Sequence, residues 1–213
     1  MANQNKKFLF ILKIRFVIVF MAFAFMIGCK KEIPNLGNQK NVQVTKKDTI
    51  NEVKVKFILG LIKNKKFDVL AKYIHPEEGI RFSPYGFINF DKDLNFNKND
   101  FLKLTKSNKT IIWGNYDGSG EEIKLNWNGY YEKFIYDADF LFSEKISYNK
   151  IQSKGNSINN INQIYKNCEF VECYFSGFDN KFNGMDWVSL KLVFKKTNKK
   201  NYLLAIIHDQ WTI

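Results

Sequence analysis

Gly184-Met-Asp-Trp-Val-Ser-Leu-Lys-Leu-Val-Phe194 and Tyr202-Leu-Leu-Ala-Ile-Ile-His-Asp-Gln-Trp-Thr-Ile213 are the two runs on which the fold turns. Val188, Leu190, Leu192 and Phe194 alternate with Ser189, Lys191 and Lys195, which predicts a strand with one apolar and one polar face. The second run places Leu203, Ala205, Ile207, Trp211 and Ile213 on one face, an apolar line that Asp209 interrupts. Between them, residues 195–201 are too polar for a core and predict the turn of a long hairpin.

Upstream the period changes. Thr49 and Glu52 have capping-box spacing. Ile50, Val53, Phe57 and Leu61, with Ile58 and Ile62 beside them, then predict one face of an amphipathic helix. A shorter helix over Phe67, Leu70, Tyr73 and Ile74 has to stop before Pro76. Residues 79–86 alternate but contain Pro84, which suits an edge strand or a bend. Oxygen-bearing side chains alternate through 91–100 as in a calcium loop. The required glycine is Phe96 and the closing glutamate is Leu102, so the loop reading fails and Asn97 capping a helix over 98–106 replaces it. A short strand at 110–113, a tight turn at 115–121, an aromatic helix through Trp127, Tyr130, Tyr131, Phe134 and Ile135, and strands at 145–151 and 170–176 complete the chain. The Asn-rich residues 149–167 form a long loop with at most one helical turn. Helices first and a mostly antiparallel sheet after them make an α+β domain.

With 21 Phe, 10 Tyr and 4 Trp the chain can build a sizeable core, which excludes disorder as its main state. Its formal charge of +12 raises the question of nucleic acid. The lysines are scattered, however, and no recognition helix, zinc spacing or stacking motif accompanies them, so no nucleic-acid partner is expected. A solvated basic surface facing an anionic envelope fits better.

Lys6, Lys7, Lys13 and Arg15 precede an unbroken apolar run, Phe16–Ile27, that ends at Gly28 and Cys29. That is the order of a signal peptide. Met26-Ile-Gly-Cys29 resembles a bacterial lipobox, whose cysteine receives the lipid. A membrane-spanning helix over 8–27 would have to hold Lys13 and Arg15 among the roughly 20 apolar residues it needs. The expected layout is therefore a signal peptide over 1–28, a lipidated Cys29 with a flexible tether to 47, and one globular domain over 48–213 in the cell envelope.

The opening of the domain (long helix, short helix, His75-Pro76, strand) and its closing hairpin resemble the NTF2-like or cystatin-like cone. In that cone a curved sheet wraps helices and leaves a pocket. Four stretches also resemble a group of uncharacterised exported bacterial lipoproteins that end in Ile-His-Asp-Gln-Trp-Thr-Ile: residues 75–85, 116–120, 184–187 and 207–213. The resemblance implies export and supplies no mechanism.

His75 and His208 are the chain's two histidines, so a three-histidine zinc site and the His-Glu-x-x-His pattern are both ruled out, and no metal or cofactor is expected. Cys168 and Cys173, if both lie on one strand, would stand ~16 Å apart, beyond disulfide reach; a bridge would need Cys168 to fold back from the preceding loop, and none is expected. No Gly-x-Ser-x-Gly or Ser-x-x-Lys pattern supports covalent hydrolysis. Asp209 is the leading candidate, because a carboxylate on an apolar face is either ion-paired, for instance with Arg81, or has a raised pKa suited to acid/base or ligand work. His208, its neighbour, should point to the opposite face. Arg81, Tyr85, Trp187 and Trp211 are candidate binding residues. The expected function is a lipid-anchored module that binds a small ligand, a peptide or another envelope protein. The alternative is a small exported hydrolase or isomerase, cofactor-independent, with Asp209 or His208 as general acid/base.

Overall fold

A computed structural model describes residues 50–153 and 158–212; the signal segment, Cys29 and the tether lie outside the described residues. Helix α1 (Glu52–Lys63) begins at Asn51, whose side chain accepts the Lys54 N–H, so the cap sits two residues later than Thr49. Its buried stripe is Val55, Ile58, Leu59, Leu61 and Ile62, whereas Val53 and Phe57 face outward. Both stripes are apolar in sequence, and the one that meets the sheet is buried. The second helix splits into α2 (Phe67–Leu70) and a 3-10 turn, Ala71–Tyr73, ending before Pro76 as expected.

Six strands form the main sheet in the order β2-β1-β8-β7-β6-β5. They are β1 (Ile80–Ser83), β2 (Asn95–Phe96), β5 (Lys145–Tyr148), β6 (Glu169–Phe175), β7 (Val188–Thr197) and β8 (Lys200–Gln210). Every pairing is antiparallel except β1 with β8. Strand β1 is thus internal rather than an edge: Pro84 lies just past its end and removes no ladder hydrogen bond. A separate hairpin joins β3 (Ile111–Asn115) to β4 (Glu122–Leu125). Helices α3 (Lys98–Leu104), capped by Asn97, α4 (Trp127–Phe134) and the single turn α5 (Ile161–Ile164) occupy the expected places. The α+β class, with N-terminal helices packed on a curved, mostly antiparallel sheet, is therefore the observed one.

The space between helices and sheet is filled with aromatic rings. Phe82 lies within 6.2 Å, centroid to centroid, of Phe101, Trp113, Trp127 and Tyr130. Among the described residues, these rings occupy the place where a cone would leave its pocket. The opposite face of the sheet is covered as well: Val193, Ala205 and Ile207 pack against Ile88 and Ile161. The Asn160 side chain ties those two covers together, bonding the N–H and the carbonyl of Ile88.

The terminal hairpin is longer than its polar turn suggested. Asn198 and Lys199, both at positive φ, make a two-residue turn, and strand pairing runs to Thr197 and Lys200. Its faces also depart from simple alternation. Phe194 pairs with Leu203 and Val193 with Ala205, leaving Leu204 as an extra residue. This bulge puts Leu203 with Ile206 in the main core, and Ala205 with Ile207 on the other side.

Candidate functional site

A cavity of about 490 Å³ opens where the chain leaves β1. Residues 84–93 form one wall, Gly114–Asp117 at the end of β3 form the other, and Ile158 overhangs the mouth. Pro84 directs the chain out of β1, and the inverted backbone of Gly114 (φ 115°) accompanies a register break in the β3–β4 pair. The Tyr116–Glu121 turn is closed by its own backbone hydrogen bonds and by Asn115 Nδ2 donating to the Gly120 carbonyl. The wall is therefore built on fixed backbone.

Asp93 is the buried carboxylate of this cavity, 7 % exposed. Its Oδ2 accepts the Asn89 N–H at 2.9 Å, and Arg81 Nη1 donates to its main-chain carbonyl at 2.7 Å. Burial pushes its pKa up to about 6, against the downward pull of the Asn89 amide, the Ser83 hydroxyl and the Arg81 charge. Burial also raises the pKa of Tyr85, which the Asp117 N–H partly offsets. Behind this wall Tyr130 stacks on Trp113 at 3.7 Å, and burial raises its phenol well above the ordinary range. Its hydroxyl has no hydrogen-bond partner among the described residues. At the rim Lys92 Nζ donates to Asn115 Oδ1 at 2.9 Å, and Asp117 Oδ2 accepts the Thr212 hydroxyl at 2.7 Å.

The residues singled out in sequence are not gathered in this cavity. Tyr85 lines it. Arg81 borders a separate groove with Phe90 and Tyr165, its guanidinium 4.2 Å from the centre of the Phe90 ring. Trp187 is buried near Tyr174, and Trp211 is half-buried past the end of β8.

Asp209 and His208 do point to opposite sides of the sheet. His208 is fully buried: Nδ1 lies 3.2 Å from the Pro84 carbonyl, Nε2 lies 3.1 Å from Asp137 Oδ2, and Phe134 packs edge-on to the ring. Asp209 is paired, but with Lys191 at 2.8 Å rather than with Arg81. Lys191, which alternation placed on a polar face, is fully buried. Its ammonium also reaches Glu172 at 3.3 Å and the Ser189 hydroxyl at 3.1 Å. Glu172 in turn accepts the backbone N–H groups of Gln152 and Ser153. The chain closes tightly over this cluster: a Cβ on Gly86 would stand 2.5 Å from Asp209 Oδ2. Asp209 and His208 are thus held inside the protein, one in an ion cluster and one between two acceptors.

Asp93 went unrecognised in sequence because it sits in a polar run whose spacing carries no sign of burial. The approach of Arg81 and of the Asn89 backbone turns it inward, and only the fold brings these together. Among the described residues no group of three His, Cys, Asp or Glu side chains could hold a metal ion. Cys168 and Cys173 are free thiols.

No protein-family profile matches this sequence, and no curated protein matches it significantly. Among solved structures, a designed protein of the NTF2 fold is similar at 14 % identity, covering 73 % of this chain and 93 % of its own, with a TM-score of 0.32.

Proposed function

We propose that this protein is a small-ligand-binding module of the cell envelope, held at the membrane by lipid on Cys29, with the cavity between residues 84–93 and 114–117 as its binding site. The cavity itself carries the reading. Its volume of about 490 Å³ lies within the range of small-molecule sites. Tyr85, Phe87 and Tyr116 offer apolar surface, and a few polar groups, Asp93 foremost, converge on it. A peptide or protein partner would need a longer groove or a wider face than this opening supplies.

The enzyme reading draws less support. Proton transfer needs a group within hydrogen-bond reach of a substrate, and the cluster around Asp209 and the double engagement of His208 leave neither facing the cavity. If the module has acid/base chemistry, Asp93 is the residue placed for it, with a carboxyl whose pKa is near neutrality.

A thermal-shift screen of small organic molecules, run in parallel on the wild type and on Ile158→Trp, tests the binding reading. Ile158 is 73 % exposed at the mouth, so a larger side chain fills the opening at little cost to folding. Compounds that raise the melting temperature of the wild type should lose that effect in the variant. Stabilisation that is equal in both proteins would move the site elsewhere.

A further inference from the structure

The cavity is acidic on a basic molecule. The whole chain carries a formal +12, yet the titrating side chains that line this cavity include Asp93 and Asp117 against Lys92. The Lys92 ammonium is engaged by Asn115 at the rim, away from the buried Asp93. The walls are aromatic: Tyr85, Phe87 and Tyr116 present rings, and ring faces attract cations. Tyr130 adds an independent observation. Its hydroxyl is buried without a partner among the described residues, and the charged or polar groups it feels are Asp93 and Tyr85, both of the cavity wall. A buried oxygen left unpaired is costly, so unmet hydrogen-bonding capacity lies close behind this wall. An anionic ligand would meet two carboxylates here, and a neutral one would desolvate Asp93 further with no charge added to that of Arg81.

Resting on the reading of this cavity as the ligand site, we propose that the ligand is an organic cation. Its ammonium or guanidinium group is set against the Asp93 carboxylate, and its apolar part lies between Tyr85, Phe87 and Tyr116.

Calorimetry on the full-length protein in detergent tests this with three probes of one shape: tyramine, its alcohol counterpart tyrosol, and 3-(4-hydroxyphenyl)propionate. Tyramine is expected to bind about tenfold or more tightly than tyrosol, with the propionate weakest. In Asp93→Asn, checked for folding by its melting curve, tyramine and tyrosol should converge to within about threefold. The wild type provides the same test without substitution. Arg81 of β1, Tyr130 of α4 and Tyr165 after α5 are the charged or titratable groups that interact with Asp93, and Ser83 and Asn89 bond it. Lowering the pH from 7.5 to 5 protonates Asp93 and should weaken tyramine about tenfold, leaving tyrosol unchanged. Equal binding of the alcohol or the propionate, an unaltered tyramine preference in Asp93→Asn, a flat pH profile, or no heat from any probe would each overturn the cation assignment. The cavity reading stands or falls separately, on the Ile158→Trp screen.

Discussion

At the scale of single residues, Asp93 carries a stability cost that titration can expose. Burial holds its folded pKa near 6, above the unfolded value of about 3.9, so the folded state binds a proton more readily than the unfolded chain does. Stability from this group is greatest below the unfolded value and is lost as pH rises through about 6. A two-unit shift would correspond to about 3 kcal/mol, and partial access to water at the cavity reduces the expectation to about 1–2 kcal/mol. Melting curves of the wild type and Asp93→Asn between pH 4 and 7.5 should therefore diverge, the wild type gaining relative to the variant as the pH falls. A difference that does not change with pH would mean that the carboxyl is well solvated. No spacing rule could have selected this residue. Asp91, Asp93 and Asp100 look alike in a polar run, and only Asp93 is turned inward by contacts with Asn89 and Arg81.

At the scale of elements, the three central strands are pinned together by one charged cluster. Glu172 of β6 lies opposite Lys191 of β7, and the Lys191 ammonium reaches across to Asp209 of β8. A register slip by one residue in either pairing would turn one of these groups to the opposite face, so the cluster disfavours slipped pairings as well as contributing binding energy. Lys191→Met would leave two buried carboxylates without this counter-charge and is expected to cost about 3–5 kcal/mol in urea unfolding. A loss below about 1 kcal/mol would show that the cluster is not coupled to folding. The same elements mark how far the sequence could be read. Strands β6, β7 and β8, helix α4 and the Asn97 cap of α3 follow from alternation, aromatic spacing and capping chemistry, which are local signals. The apolar face of β7 followed, with Val188, Leu190, Leu192 and Phe194 together in the main core, but that of β8 did not, because Leu204 bulges out of register. Lys191, placed on the polar face of β7 by alternation, is buried because that side of the sheet is covered as well. The buried stripe of α1 was read in part: Ile58, Leu61 and Ile62 are buried as expected, but Val53 and Phe57 belong to a second apolar stripe that faces outward.

At the scale of the whole molecule, the proposed arrangement is a lipid on Cys29, a polar tether and one globular domain that carries the cavity. Labelled fatty acid should enter the wild type and be absent from Cys29→Ser; label retained in the variant would remove the lipobox reading and favour an uncleaved membrane helix. The location of the cavity is what the expected architecture gave least warning of. A cone-like domain suggested a pocket between sheet and helices, but Phe82, Phe101, Trp113, Trp127 and Tyr130 fill that space. The opening lies instead beside the end of β1, between two loop segments, where Tyr85 is the one residue singled out in sequence that reaches it. Backbone amide shifts recorded by nuclear magnetic resonance during titration with a ligand from the screen test this placement most directly. The account predicts that the largest, saturable changes fall on the amides of residues 85–93, 114–117 and 158. Changes centred instead on the groove around Arg81, Phe90 and Tyr165, or spread without saturation over the surface, would contradict it.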